Sequence, residues 1–231
     1  MRTISVTLPK SWEELPSDHL EYIYRVLSQG YSMEQAKSLV LFRLGEWEQD
    51  NGKKLTMTDI ADIDIHLLAD ALRHLEWMDE LANPPVRLSV IDKHACLADA
   101  LLQTVDFGTY LLLENLWQAY LRNPSELRPI AMMNDYLYGA PLESPLAIYN
   151  TTAWFAALKA RFEANWPDLF KPAPEGGAVE APDMVEVMNA ELRALTGGDV
   201  TKESAVRAVG CWRALEELNA KVKESKQYKT K

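Results

Sequence analysis

Residues 106–138, DFGTYLLLENLWQAYLRNPSELRPIAMMNDYLY, set the reading of the whole chain. Asp106 is the kind of acceptor that caps a helix. Behind it, Phe107, Tyr110, Leu111, Glu114, Trp117 and Leu121 fall along one side at helical rather than strand spacing. Asn123-Pro124 breaks that helix. The next opens by Pro129, where proline is tolerated in a first turn, and runs to about Tyr138. After a loop from Gly139 to Pro145, residues 146–166 are rich in Ala, Trp and Phe and read as a buried helix.

Working toward the N-terminus, Thr3 to Leu8 alternates with period two, placing Ile4, Val6 and Leu8 on one face of a strand that Pro9 stops. Ser11 to Glu14 has a capping-box pattern, but Pro16 leaves room for a single turn. Ser17 then caps a helix to about Gln29 with Leu20, Ile23, Tyr24 and Leu27 inward, and Gly30 fits the position just past its end. Ser32 and Gln35 form a second capping box, opening a helix that runs through Ala36, Leu39, Val40 and Arg43 toward Trp47. Asp50-Asn51-Gly52 is a turn. A third helix spans about Thr58 to Leu81 and ends at Asn83-Pro84-Pro85. Val86 to Val90 alternates like the first strand, so the two are expected to pair as one small ribbon packed on helices. Cys96 to Leu102 reads as a short helix.

At Lys171 the composition changes. KPAPEGGAVEAPD holds three prolines, two glycines and almost no large apolar side chain, which reads as a linker; an ordered loop wrapped on the body is the alternative. Two helices follow. The first, Met184 to Leu195, carries Val185, Met188, Leu192 and Leu195 on one face. The second, from near Thr201 to about Lys223, carries Ala208, Cys211, Leu215, Leu218 and Val222 as a short heptad seam. The expected organisation is a helical body over 1–170, a linker over 171–182, a helical hairpin over 183–225 and a basic, frayed tail over 226–231. The fold class is mainly α, a multi-helix body with a small two-stranded β element plus the C-terminal hairpin. A hairpin of about forty residues cannot bury its own seam, which must dock on the body, a second copy or another protein. Met188, Leu192, Trp212, Leu215 and Leu218 are the residues expected to bind protein.

The 231 residues are 48% hydrophobic and 25% charged, as in an ordinary folded protein of one or two domains. Two cysteines, Cys96 and Cys211, exclude a disulfide scaffold and fit a reducing compartment. No apolar run is long enough to span a membrane, and the first residues lack the apolar core of a signal peptide, so a cytoplasmic location is expected. The net charge of −10 divides into +4 from Lys202 onward and −14 on the remainder. An acidic body disfavours nucleic acid, and only the basic C-terminal end supports the alternative of a DNA-associated regulator.

Signals for catalysis are sparse. Asp62, His66, Asp70 and His74 recur every fourth residue and could present metal ligands, but the leucines beside them make this stripe a solvated face, and no metal is expected. His94 and Cys96 lack an orienting third group, and a structural cysteine is the simpler reading. His19 sits near a helix start, where the helix dipole disfavours a protonated imidazole. Phosphate-binding glycine loops, the G-x-S-x-G elbow and H-E-x-x-H are missing. A non-enzymatic protein without a cofactor is expected, with an enzyme of unfamiliar site as the remaining option. Seven tryptophans read as packing anchors, and Trp212 is the one best placed for an interface.

Three stretches carry a resemblance. TLPKSWEEL at 7–15 and MNAELRALTGGDVTKESAVRAVGCWRALEELNAK at 188–221 resemble segments of proteins encoded in tailed-phage and prophage regions of gut Bacteroides-type bacteria. FGTYLLLENLWQAYL, IAMMNDYLYG and TTAWFAALKARF, between 107 and 162, are similar in style to phage tail assembly chaperones. The resemblance implies a helical head, a flexible link and a second helical part, with no catalytic residues to carry across. Many of those chaperones are shorter, and their second part arises by frameshift. The partners implied are other phage structural or assembly proteins, and self-association, within the host cytoplasm.

Overall fold

A computed structural model describes residues 4–61, 63–170 and 184–229. The linker expected at 171–182 lies outside the described residues. The described chain is mainly α, with ten α-helices and two small two-stranded antiparallel sheets.

The N-terminal strand β1 (Ile4–Thr7) does form, but its partner is not Val86 to Val90. It pairs antiparallel with β2 (Glu46–Gln49), in register Ile4↔Gln49 to Thr7↔Glu46. The helix expected to reach Trp47 therefore ends early. Helix α1 (Ser17–Ser28) precedes it, with Pro16 rather than Ser17 at the N-cap and Gly30 at φ +85° past its end. Helix α2 (Met33–Leu44) opens with the expected reciprocal Ser32–Gln35 capping box. It closes at Gly45, where a Cβ would lie 2.4 Å from the Leu41 carbonyl oxygen and 2.7 Å from Trp47 Nε1. Only glycine permits that approach, and it swings the buried Trp47 back over α2, its indole N–H 3.3 Å from the Leu41 carbonyl.

The expected third helix is three pieces: α3 (Met57–Ala61), α4 (Ile65–Arg73) and a 3-10 turn over Glu76–Asp79. Asp64 interrupts it, because its side chain accepts from the His66 N–H and starts α4 afresh. Strands β3 (Val90–Ile91) and β4 (His94–Ala95) close a tight hairpin on each other. No helix forms from Cys96 to Leu102. Asp99 instead gathers the N–H groups of Leu101, Gln103 and Thr104 on its carboxylate, organising a turn.

Helices α5 (Phe107–Arg122), α6 (Arg128–Tyr138) and α7 (Pro145–Asn165) are the centre of the fold. Asp106 and Ser144 cap α5 and α7 as their chemistry requires, accepting from Thr109 N–H at 2.7 Å and Ala147 N–H at 3.3 Å. α5 packs on α6, α6 on α7, and α7 on α1. Phe107, Tyr110, Trp154, Phe155 and Phe162 are fully buried between these layers.

Three helices follow the undescribed segment: α8 (Met184–Thr196), α9 (Glu203–Arg207) and α10 (Cys211–Lys229). The expected second helix is thus split at Ala208–Gly210, which leaves Ala208 exposed rather than in the seam. Its helical run also continues to Lys229, so residues 226–229, expected in the tail, are helical; 230–231 lie outside the described residues.

Candidate functional site

The five residues expected to bind a partner are occupied by the chain itself. Leu192, Leu215 and Leu218 are 2%, 0% and 2% exposed and belong to the same core as α5 and α7. Trp212 is partly buried; its indole N–H donates to the Leu101 carbonyl at 2.7 Å, and its ring meets Trp166 and Phe162 edge-on. Met188 is packed against the core from α8. The backbone is stitched as well: Phe107 N–H donates to the Val209 carbonyl at 2.7 Å, and Cys211 N–H to the Val105 carbonyl at 2.8 Å. Asn219 Oδ1 accepts from Asp168 and Leu169 N–H just beyond α7. The seam's need for a partner is therefore met by the body, because α5 offers it both an apolar face and free backbone groups at its start. Burial also pushes the Cys211 thiol up to about 12, making it inert.

Between α5, α7 and α8 lies a cleft of about 330 Å³. Lys159 of α7 reaches the buried Glu114 carboxylate of α5 at 2.8 Å, and its ammonium lies 4.3 Å from the Phe170 ring centre. Gln118 and the Tyr110 hydroxyl complete the Glu114 carboxylate's partners at 3.0 and 3.4 Å. Glu191 of α8 enters the same cleft. Burial first, and the Glu114 charge second, raise its pKa to about 7, with Lys159 opposing. One ammonium thus serves more than one carboxylate, with Glu163 also on the cleft wall.

The sign of the resulting pH dependence follows. A carboxyl that holds its proton more tightly folded than unfolded stabilises the fold most at low pH, and that contribution is lost as pH rises from about 4.5 through about 7. The Glu191→Gln variant is expected to lack this component, worth at most about 3 kcal/mol. Denaturant unfolding of both proteins at pH 5, 6, 7 and 8 measures it. Parallel pH profiles would contradict the assignment.

A second cleft, of about 310 Å³, opens on the outer side of the C-terminal helices. Leu195 from α8, Val206 from α9, Val209 just before α10 and Ala214 within it make its apolar lining, with Arg213 and Glu217 supplying both charges. Val209 is 36% exposed. The heptad pattern pointed past this cleft, since Val206 and Val209 fall outside the seam and are brought to Leu195 only by the break between α9 and α10. Such an apolar trough with charges of both signs beside it can take one face of an amphipathic helix.

The other sequence candidates stay apart from both clefts. His66, Asp70 and His74 are exposed on or beside α4, and Asp62 lies outside the described residues. Among the described residues no group of three or more His, Cys, Asp or Glu side chains could hold a metal ion. Cys96 Sγ donates to the Leu137 carbonyl at 3.1 Å and lies against the Arg87 guanidinium, while His94 is exposed in β4. The His19 Nδ1 is buried without a hydrogen-bond partner near the start of α1. Of the basic C-terminal residues, Lys221 faces Glu217 at 3.4 Å, and Lys226 faces Asp168. No helix among the described residues is long and apolar enough to cross a membrane. No protein-family model matches the chain, and neither a curated protein nor a solved structure matches it.

Proposed function

We propose that the protein is a non-enzymatic assembly factor, a chaperone or adaptor that binds another protein during construction of a phage tail or virion in the host cytoplasm. The observation that carries this reading is the outer cleft of α8, α9 and α10. Its apolar lining remains open after the seam itself has been covered by the body. The occupant it fits is an amphipathic helix of a tail protein, its apolar side chains against Leu195, Val206 and Val209 and its polar edge toward Arg213 and Glu217. The class of partner is suggested by resemblance: residues 7–15 and 188–221 resemble proteins of tailed-phage and prophage regions, and segments between 107 and 162 are similar in style to tail assembly chaperones.

The test is capture of partners from cells producing the phage, with the bound proteins identified by mass spectrometry. Tail structural or assembly proteins are expected with the native chain and are expected to be lost with Val209→Asp. That side chain is half-exposed, so the melting temperature is expected to move little, since surface changes cost within about 0.5 kcal/mol. Ile65→Asp, at a site 75% exposed on α4, serves as the control and is expected to retain the partners. Capture that ignores Val209→Asp, or that contains no tail protein, rejects the reading.

A further inference from the structure

Helix α6 buries one face in the core and turns the other outward. Along the outer face stand Arg128, Met132, Asp135 and Tyr136, with Met132 43% and Tyr136 45% exposed. Large apolar side chains also stand exposed beyond both helix ends. Leu127, 46% exposed, precedes it. Leu97, 72% exposed, follows it, held by its backbone N–H on the Leu137 carbonyl at 2.7 Å. Its side chain reaches to 3.8 Å from the Cβ position of Gly139. Met132, Tyr136 and Leu97 thus form an apolar edge over the C-terminal half of the helix, with Leu127 about 140° around from Met132 at its N-cap. Arg128 and Asp135 are exposed beside it, and no ion pair among the described residues engages either.

We propose that this edge is a self-pairing surface, on which α6 packs antiparallel against α6 of a second copy about a two-fold axis at Met132. The placement of the charges selects this occupant. At about 100° per residue, Arg128 lies some 40° to one side of Met132 and Asp135 some 60° to the same side, while Tyr136 lies about 40° to the other. A two-fold axis that reverses the helix keeps the flank and inverts the height along the axis. Arg128, about 6 Å before Met132, then stands opposite the Asp135 of the second copy, which its own rise of about 4.5 Å brings to nearly the same level. The symmetry makes two such pairs on one flank, and Met132 meets its own copy at the centre. A parallel two-fold would keep the height and invert the flank, which leaves Arg128 with no Asp135 at its level. The surface is self-complementary, as a closed isologous dimer requires. It is separate from the outer cleft of the C-terminal helices and needs no other partner.

Sedimentation equilibrium of the purified full chain tests it. A dimer is expected. Asp135→Arg faces like charges across the axis, and Met132→Asp places two carboxylates at the centre; each is expected to weaken association by about tenfold or more. The double exchange Arg128→Asp with Asp135→Arg restores opposite charges and is expected to return association to the native range. Far-ultraviolet circular dichroism checks that these exposed substitutions leave helicity unchanged. A native chain that stays monomeric, a dimer indifferent to Met132→Asp, or a double exchange no better than Asp135→Arg alone would each overturn the proposal.

Discussion

Leu215→Ala is expected to destabilise the whole chain by about 2–5 kcal/mol, the range for emptying a fully buried leucine site. Leu215 is 0% exposed, with the fully buried Cys211 one turn before it and Leu218 just after. The helix that carries it is tied to the body by the Cys211 N–H bond to Val105, the Trp212 bond to Leu101 and the Asn219 contacts beyond α7. Its cavity therefore opens inside the shared core. Against a total stability of about 5–15 kcal/mol this is a large loss. Helicity and tryptophan fluorescence, followed through urea unfolding, are expected to shift to a lower midpoint together. A separate early transition, with the main one unmoved, would mean that the C-terminal helices fold as their own unit. Ala208→Glu provides the contrast. Ala208 was assigned to the same seam by its spacing but is exposed between α9 and α10, and its substitution is expected to cost within about 0.5 kcal/mol.

Asn150→Leu is expected to cost about 3–5 kcal/mol, chiefly through the polar groups it leaves without partners. Asn150 is 0% exposed in the middle of α7. Its side-chain oxygen accepts the Leu88 N–H at 2.7 Å, and its amide donates to the Tyr138 hydroxyl at 3.0 Å. That hydroxyl in turn donates to the Leu88 carbonyl at 2.8 Å. The three residues close a ring that satisfies both backbone groups of Leu88 and fixes the segment before β3 against α6 and α7. Leucine has the same branched outline, with bulkier methyl ends, but leaves the Leu88 N–H without an acceptor in a buried site, which carries the full desolvation penalty. Tyr138→Phe removes a donor and an acceptor from the same ring and is expected to be severe for the same reason. Equilibrium unfolding of the two single variants and the double variant measures their coupling. Strictly additive losses would show that the ring does not act as a unit.

The short-range signals in the chain were legible because their causes are local. The Ser32–Gln35 capping box, the Asp106 cap and the period of Phe107 to Trp117 each depend on residues within a few positions of one another, and each forms as read, whereas Leu121, read on the same side, is 49% exposed. The breaks were harder. Asp64 interrupts a periodic run by bonding two residues ahead, and the loss of helix at Ala208–Gly210 coincides with backbone bonds to Val105 and Phe107, about a hundred residues away in sequence. Strand pairing was harder still. Val86 to Val90 and Thr3 to Leu8 share the same alternation, yet Trp47, turned by the close approach at Gly45, brings β2 to β1. Alternation identifies a strand's two faces but carries no information about its edge partner.

The sequence by itself determined the class of fold, most helix positions and the fact that the seam of Leu215 and Leu218 had to be covered, since apolar spacing and burial free energy are properties of the chain. What covers the seam, and which apolar residues remain outside, was decided only in the tertiary structure. Helices α8 and α10, which carry Leu192, Leu215 and Leu218, packed on each other and on α5, while the turns between α8, α9 and α10 gathered Leu195, Val206 and Val209 into an open cleft. The physical reason is that hydrophobic burial is non-directional. Periodicity shows which side of a helix must leave water, and only long-range packing and backbone hydrogen bonding choose the surface that receives it.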